Sequence, residues 1–344
     1  MRWDNLKVEA EGARTLPGYR EPATVRTFDA PEALDTRFYE VRAKSALNKV
    51  PKASRMPFRW TINPYRGCSH SCAYCFARPT HTYLDFNAGR DFEKEIVVKV
   101  NVPEVARAEL MRPSWKREHV ALGTNTDPYQ WVEGRYRLMP GIWEAMRDSR
   151  TPSSVLTKSP LLLRDVELFK QIHEVAGFAA NLSIPTLEEK AWRASEPHTP
   201  HPRKRIEAVA ELNRAGIPTG VLIAPLMPGI NDDPRQVEEI LELCGEAGAV
   251  NIGGIPLHLR GEVRQVFFEW LRSYRPDLVP RYEELYARGA YVGSSERERI
   301  QALLHPPGRE RRGGTRAMRR TAPYELKDPV TMPEPRQPDQ GTLF

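Results

Sequence analysis

The stretch Asn63–Cys75, which reads Asn-Pro-Tyr-Arg-Gly-Cys-Ser-His-Ser-Cys-Ala-Tyr-Cys, decides how this sequence of 344 residues is interpreted. It directly follows an apolar run, 58–62, that predicts a β-strand. Three cysteines fall within eight residues: Cys68, Cys72 and Cys75. Gly67 leaves the backbone free to bend, so the three sulfurs can converge on one centre. The spacing indicates a metal site.

Outward from this motif, apolar runs that suit buried strands alternate with helical patterns. The predicted strands are 58–62, 96–100, 120–123, 154–157, 179–184, 220–225 and 250–255. Ser159-Pro160 and Asp233-Pro234 predict helix starts, and glycines at 216 and 248 predict helix ends. The alternation from about 58 to 275 predicts parallel βα units with right-handed crossovers. About six units fit, fewer than the eight of a complete barrel, so we expect an α/β fold with a partial (β/α)6 TIM-like barrel.

The segments on either side of this core have a different composition. Residues 1–57 mix charges and prolines without sustained periodicity, and we interpret them as an irregular N-terminal extension. Residues 276–305 predict C-terminal helices, and 306–344, with seven prolines in 39 residues, predict a disordered Pro/Arg-rich tail. Six arginines and one glutamate at 308–320 account for five of the six net positive charges. We expect this tail either to add salt-dependent affinity for nucleic acid or to have no partner.

The composition excludes a membrane protein and a disulfide-stapled one. Hydrophobic residues make up 40% and charged residues 28%, as in soluble globular proteins. The longest charge-free stretch, 215–231, contains three prolines and cannot be a spanning helix. The N-terminus lacks the apolar core of a signal peptide. Cys244 stands alone on the apolar stripe of a predicted helix, where it is interpreted as a small buried hydrophobe. We expect a cytoplasmic protein with no membrane partner.

The absence of a fourth clustered cysteine admits two kinds of metal site. In a [4Fe-4S] cluster, three thiolates leave one iron without a protein ligand and open to a substrate or cofactor. The alternative is a structural Cys3His zinc site that uses His70 or His81, because closed zinc sites prefer four protein ligands. The surrounding βα series gives such a zinc site no purpose, which favours the cluster.

A C-x3-C-x2-C loop with an aromatic residue, Tyr74, before its last cysteine resembles the radical S-adenosylmethionine (SAM) superfamily. The stretches 63–99 and Thr157–Pro160 are similar to its spore photoproduct lyase-like group, often labelled DNA repair photolyases. The resemblance covers roughly 58 to 275. It implies that SAM binds the open iron of a [4Fe-4S] cluster, and that one-electron reduction cleaves SAM to a 5′-deoxyadenosyl radical that abstracts hydrogen from a substrate. An electron donor such as flavodoxin or ferredoxin would then be a partner.

The resemblance also implies which residues contact SAM. Tyr74 would lie near the adenine, and Lys158 would meet the carboxylate. Ser183, together with Thr126 and Asp127, would meet the ribose or the amino group. Each position follows a predicted strand at its carboxyl end, where barrel active sites collect.

Structural alternatives stay open for these residues. Tyr74 and Phe76 could pack under the cluster, Lys158 could face solvent and Ser183 could be a helix cap. Asp127-Pro128-Tyr129 could be an ordinary turn. Arg193 and Glu196 either reach the site or pair with other residues on the surface, and they are not counted among the site residues.

Two positions argue against the reaction of the lyase group. That group implies a cysteine near the end of the second barrel strand as hydrogen-atom donor, and the matching stretch here, 124–127, contains no thiol. It also implies a tyrosine directly after the third cluster cysteine, where this sequence has Phe76. We therefore expect no repair of the spore thymine lesion.

Two functions of different classes remain. The first is a radical SAM enzyme of lyase or oxidoreductase type that abstracts hydrogen from an unidentified substrate, with nucleic acid as one expectation. The alternative is a non-catalytic nucleic-acid-binding protein with a structural zinc site. A brown colour after anaerobic purification indicates the first, and a colourless protein indicates the second.

Overall fold

The structure is a computed structural model that describes residues 8–28, 35–51, 53–54 and 56–305. The predicted disordered tail, 306–344, lies outside the described residues, as do its arginines. None of the helices in the described ranges is both long enough and apolar enough to cross a bilayer.

The larger of two sheets carries the predicted βα series. Its strands are, in spatial order, β12 (Ile252–Pro256), β11 (Thr219–Leu226), β10 (Phe178–Ser183), β9 (Ser153–Thr157), β8 (Val120–Leu122), β5 (Trp60–Ile62) and β4 (Leu47–Lys49). The edge strand β4 is antiparallel, and the other six strands run parallel in their order along the chain. No strand pairing in the described residues joins β12 to β5, so the sheet is open. The predicted partial barrel of six parallel strands is confirmed.

Helices alternate with these strands and cover the sheet. The helices are α1 (Asp91–Lys94), α2 (Val102–Leu110), α3 (Glu133–Tyr136), α4 (Leu138–Asp148), α5 (Val166–Val175), α6 (Glu189–Ser195), α7 (Pro202–Arg214), α8 (Pro234–Glu246), α9 (Val263–Tyr274), α10 (Val279–Leu285) and α11 (Ser294–Leu303). Along the sheet, α2 packs on α4 and α4 on α5, while α7 packs on α8 and α8 on α11. The predicted C-terminal helices correspond to α10 and α11.

The predicted helix boundaries hold at α8 and shift at α5. The carboxylate of Asp233 accepts hydrogen bonds from the amides of the first turn of α8, as an N-cap should. Ser159 also caps the amide of Leu161, but residues 160–165 form 3-10 turns and the α-helix begins only at Val166. Gly248 follows the end of α8 at a φ of +76°, a conformation that favours glycine.

A second sheet corrects the interpretation of the N-terminal residues. Its strands are, in spatial order, β1 (Val8–Arg14), β2 (Ala23–Phe28), β3 (Arg37–Val41), β7 (Glu95–Lys99) and β6 (Tyr65–Arg66). The interpretation of 1–57 as irregular is therefore wrong for strands β1 to β3, and it is also wrong for β4, the edge strand of the larger sheet. These strands are short, and in β2 the residues between the buried positions are half-buried and polar. Because threonine and arginine separate the apolar residues of β2, the sequence 23–28 does not form an apolar run.

Strand β7 coincides with the apolar run 96–100 but does not belong to the barrel. It pairs parallel with β3 and antiparallel with β6. All five of its residues are buried, because other parts of the chain cover both faces of this strand. A doubly covered strand has the same continuous apolar pattern wherever it pairs, so its sequence resembles that of a barrel strand.

The two sheets share one hydrophobic core. Phe38 and Ile96 from the second sheet lie in the same buried cluster as Ile142 and Val155 from the barrel. The N-terminal strands therefore belong to the folded body that surrounds the site. The division of the chain at residues 57, 275 and 305 stays a prediction.

Candidate active site

The cysteine loop leaves strand β6 through a glycine that the packing requires. Gly67 has a φ of +80°, and a Cβ at this position would lie 2.9 Å from the carbonyl oxygen of Phe92. The same carbonyl accepts a hydrogen bond of 2.9 Å from the amide of Cys68. A larger residue at position 67 would force the loop away from helix α1.

The three cysteines of the loop are free thiols in a buried environment. Cys68 and Cys72 are buried, and Cys75 is half-buried. Burial raises the pKa of the Cys72 and Cys75 thiols; the charge of Glu196 raises it further at Cys72, and the neighbouring Cys68 raises it further at Cys75. The positive charge of Lys158 acts in the opposite direction on both. The amide of Cys75 donates to the carbonyl of Cys72 at 3.2 Å, and Lys158 Nζ lies 5.7 Å from the ring of the intervening Tyr74, so the cysteine loop and the predicted SAM ligand Lys158 are neighbours.

Buried polar side chains fix the backbone of this loop. The amide of Ser69 donates to Oε1 of Gln130 at 2.9 Å, and Nε2 of Gln130 donates to the carbonyl of Gly67 at 3.2 Å. On the other side, Nε of Arg78 donates to the carbonyl of Cys72 at 3.1 Å. The sequence analysis missed Gln130 and Arg78, because polar residues give no local sign that they will be buried.

Thr126 and Asp127 connect the ends of two barrel strands to this loop. The hydroxyl of Thr126 donates to the carbonyl of Tyr65 at 2.9 Å. Asp127 accepts from the Thr157 hydroxyl at 2.6 Å and from the amide of Lys158 at 2.8 Å. These contacts hold the carboxyl ends of β8 and β9 in a fixed position beside the cysteines.

His70 and Asp127 form a buried ion pair next to Cys68. The His70 Nδ1 atom lies 3.3 Å from Oδ2 of Asp127. Burial would lower the pKa of His70, but the neighbouring Cys68 and the Asp127 carboxylate raise it to about 10. Burial would likewise raise the pKa of Asp127, but His70 and two hydrogen bonds lower it to about 2. The carboxylate also accepts from the amide of Tyr129 at 2.9 Å, so the residues at 127–129 form a turn as well.

Three of the five predicted SAM contacts meet at the ends of β9 and β10. Lys158 Nζ donates to the Ser183 hydroxyl at 2.7 Å and lies 5.7 Å from the centroid of the Tyr74 ring. The Lys158 side chain is 15% exposed, so the interpretation as a solvent lysine is wrong. Thr126 and Asp127 lie on the other side of Lys158, toward the cysteine loop.

Glu196 joins these residues, although the sequence left it open between site and surface. Its side chain has no exposed area, and Oε1 lies 3.2 Å from Lys158 Nζ. The Tyr74 hydroxyl donates to the same oxygen, and Nη2 of Arg205 lies 2.7 Å from Oε2. Burial would raise the pKa of Glu196, but the charges of Arg205 and Lys158 lower it to about 2. Glu196 is therefore a buried anion between two cations.

Arg205 is a site residue that the sequence analysis missed. It is fully buried and donates to the backbone carbonyls of Pro200 and Ser183, both at 2.9 Å. Its position in the run Arg203-Lys-Arg205 at a helix start is typical of a solvated face, so only its pairing with Glu196 reveals its burial. Arg193, by contrast, is exposed and pairs with Glu189 at 2.7 Å. Of the two alternatives for Arg193, pairing on the surface is therefore the correct one.

Both histidines of the zinc alternative already have other partners. His70 is paired with Asp127, and Nε2 of His81 lies 2.9 Å from the carbonyl oxygen of Glu95. Burial lowers the pKa of His81 to about 4, which keeps its ring neutral. Among the described residues, no group of three or more His, Cys, Asp or Glu side chains is arranged to hold a metal ion. Cys244 is fully buried in α8, as predicted, and takes no part in the site.

The fold and the site define an α/β protein with an open parallel barrel, whose polar residues and free thiols gather at the carboxyl ends of the strands. The sequence model of the Radical SAM superfamily matches residues 62–250, which is more than half of the chain. The chain therefore belongs to the radical SAM superfamily, and it is an enzyme. The non-catalytic alternative is wrong.

Two curated relatives and one solved structure extend this finding. An uncharacterized protein of Mycobacterium tuberculosis is 46% identical over 310 residues, which cover 89% of this chain and 91% of that protein. An uncharacterized protein of Methanocaldococcus jannaschii is 30% identical over 195 residues, 56% of this chain and 69% of that one. Spore photoproduct lyase complexed with dinucleoside spore photoproduct is 15% identical, with a TM-score of 0.56 over 78% of this chain and 77% of its own. The lyase shares the fold.

The superfamily implies SAM and an iron–sulfur cluster, and the residues at the site fit both. Thiolates are the ligands that iron–sulfur clusters select. A cubane binds each thiolate through a different iron, so its three cysteines need not converge on one point as the ligands of a zinc ion must. Lys158 and Ser183 add a cation and a hydroxyl beside those thiols, which suit the carboxylate of SAM.

Proposed function

We propose that this enzyme holds a [4Fe-4S] cluster on Cys68, Cys72 and Cys75, binds SAM beside Tyr74, Lys158 and Ser183, and acts on a nucleic acid. The observation that carries the proposal is the contact of Lys158 Nζ with both Ser183 and Glu196 at the strand ends next to the thiols. When bound, the reduced cluster and SAM supply a radical that abstracts hydrogen from the substrate.

The buried charges around Glu196 support an anionic ligand at this place. Lys158 and Arg205 bring two positive charges, and Glu196 brings one negative charge. A buried charge without a partner is costly, so one cation here gains from a further anion. The carboxylate of SAM has the charge and the acceptor oxygens that the Lys158 ammonium can satisfy, and the Ser183 hydroxyl, which donates to the carbonyl of Ala224 at 3.2 Å, holds that ammonium in place as its acceptor.

The remaining residues hold this arrangement in place. Glu196 accepts from the Tyr74 hydroxyl, which fixes the Tyr74 ring as a flat surface for the adenine to pack on. Thr126 and Asp127 already use their polar atoms to tie the cysteine loop to β8 and β9. We propose that these two mainly position the loop, and their contact with SAM stays a prediction.

A nucleic-acid substrate is supported by two observations of different kinds. The solved lyase that shares this fold holds a dinucleoside spore photoproduct. The sequence at 308–320 concentrates six arginines, which favours association with a polyanion. An electron donor of the flavodoxin or ferredoxin type belongs to the same proposal, because the cluster must be reduced before SAM is cleaved.

Anaerobic reconstitution tests the proposal in separable steps. Loading with iron and sulfide should give a brown protein, and adding dithionite and SAM should release 5′-deoxyadenosine and methionine. Incubation with single-stranded and duplex oligonucleotides, followed by mass analysis of the nucleosides, then tests the substrate. If the protein instead contains stoichiometric zinc and no acid-labile sulfide, the proposed [4Fe-4S] cluster is excluded. If SAM is cleaved but no nucleic acid is changed, only the proposed nucleic-acid substrate is excluded.

A further inference from the structure

We infer that Phe76, His258 and Tyr291 form a stacking platform that receives an unpaired base of the nucleic acid beside the cysteine loop. The three side chains are called the aromatic platform below. The inference rests on the proposed function, because it requires a nucleic-acid substrate. It adds the place on the protein where a base is held and the residues that hold it.

The aromatic platform is a row of rings. The centroids of Phe76 and His258 are 6.0 Å apart with an interplanar angle of 36°, and those of His258 and Tyr291 are 5.7 Å apart with an angle of 23°. A β-bridge joins His258 to Tyr291, and the amide of Leu259 donates to the carbonyl of Ala290 at 2.8 Å. The backbone therefore fixes two of the three rings at a spacing near that of stacked aromatic groups.

The platform is open to solvent at both ends. Phe76 is 53% exposed and Tyr291 is 62% exposed, whereas most aromatic side chains in the described residues are buried. Phe76 and Tyr291 are therefore accessible to a ligand, whereas the half-buried His258 lies between them. Phe76 directly follows Cys75, so a base stacked on this ring lies next to the proposed cluster.

The charges beside the platform match the backbone of a nucleic acid. The two segments that carry His258 and Tyr291, 257–261 and 287–292, contain the exposed Arg260 and Arg288, and the exposed Glu262 follows the first segment. Burial, together with the nearby charge of Arg260, lowers the pKa of His258, which favours a neutral planar ring. Every base has a π-face, so such rings bind single strands without reading their sequence.

Equilibrium binding of a fluorescein-labelled single-stranded oligothymidylate to the cluster-loaded protein tests the platform. Tyr291→Ala and His258→Ala should each weaken binding roughly 5- to 150-fold, the range measured for one stacked base. The slope of log affinity against log salt should stay the same in both variants, because no phosphate contact is removed. Arg260→Gln should instead reduce that slope by about one unit.

Two further variants serve as controls. Tyr83 is 74% exposed and lies outside the platform, so Tyr83→Ala should bind like the wild type. Tyr291→Phe keeps the ring and should retain the affinity. The temperature of thermal unfolding should be the same in the wild type and in the Tyr291 and Tyr83 variants, because both side chains are exposed.

The outcomes separate the platform from the proposed function. If the wild-type protein binds no oligonucleotide at low salt, the proposed nucleic-acid substrate is itself excluded. Normal binding by Tyr291→Ala and His258→Ala would overturn the platform and leave the proposed function standing. If the same two variants bind the oligonucleotide normally but their cluster is reduced more slowly by added flavodoxin, the rings contact an electron donor. That result would also overturn the platform.

Discussion

Lys158 Nζ lies 2.7 Å from the hydroxyl oxygen of Ser183, and this hydrogen bond joins the carboxyl ends of the third and fourth parallel strands of the barrel. The two residues are 25 positions apart in the chain. Their contact turns two strand ends into one polar site that faces the cysteine loop.

Replacement of Lys158 tests the proposed contact with SAM. Lys158→Ala should raise the dissociation constant for SAM about 10- to 150-fold, because a charge-assisted hydrogen bond to the carboxylate is lost. Titration calorimetry on the anaerobic, cluster-loaded protein measures this. Lys170→Ala, in an exposed pair on α5, is the matched control and should bind SAM normally. An unchanged dissociation constant in Lys158→Ala would place SAM elsewhere.

Single cysteine variants test the cluster ligands. Cys68→Ala, Cys72→Ala and Cys75→Ala should each lose the visible absorption of the cluster and all cleavage of SAM, because one iron loses its thiolate. Iron and acid-labile sulfide are counted after anaerobic reconstitution. Cys244→Ala should keep both, because that thiol is buried in α8 away from the loop. Full iron and sulfide content in any of the three loop variants would contradict the assignment.

Glu196 should stabilise the native state through its two buried partners. Glu196→Gln should lower the free energy of unfolding by about 3–5 kcal/mol, because the Arg205 cation is left buried without its anion. Denaturant unfolding at pH 7 measures the change. Glu189→Gln removes the exposed partner of Arg193 and should change stability by less than about 1 kcal/mol.

The pH dependence of the same variant gives a second check. The folded pKa of Glu196 is about 2, below its ordinary value, so the carboxylate stabilises the native state above about pH 4.5. That contribution is lost as the pH falls toward 2. The difference in the free energy of unfolding between wild type and Glu196→Gln should therefore stay constant from pH 8 to 5 and shrink below pH 4.5. A difference that changes between pH 8 and 5 would point to another group.

His81 should make the protein less stable in mild acid. Burial lowers its folded pKa to about 4, so the native state binds fewer protons than the unfolded chain between pH 6.5 and 4. The free energy of unfolding should then fall by about 2 kcal/mol between pH 6.5 and 5 through this residue alone. His81→Gln should lack this part of the pH dependence. Parallel curves for the two proteins would show that the pKa of His81 does not differ between the folded and unfolded states.

The enzyme should not restore the spore thymine lesion to two thymines. The stretch 124–127 at the end of β8 has no thiol to return a hydrogen atom, and Cys244 is fully buried in the core. Chromatography of a dinucleoside lesion incubated with the reduced enzyme and SAM should show SAM cleavage without repair. Thr124→Cys should gain some repair. Reversal by the wild type at a rate comparable with SAM cleavage would contradict this prediction.

Strand β7 shows where sequence reasoning reaches its limit for the fold. The alternation of apolar runs predicts the six parallel strands, because each run encodes its own element. Pairing is a separate matter, since β7 and the barrel strands carry the same apolar pattern. Only the contacts with β3 and β6 place β7 in the second sheet.

The sequence by itself determined the cysteine loop, the order of the βα units, and the positions of Lys158 and Ser183 at the carboxyl ends of their strands. These features are local, since spacing, glycines and apolar period act over a few residues. The tertiary structure alone decided that Glu196 and Arg205 are buried partners of the site. Tyr74 and Glu196 are 122 positions apart, and a charged residue is buried only where the fold brings it an opposite charge.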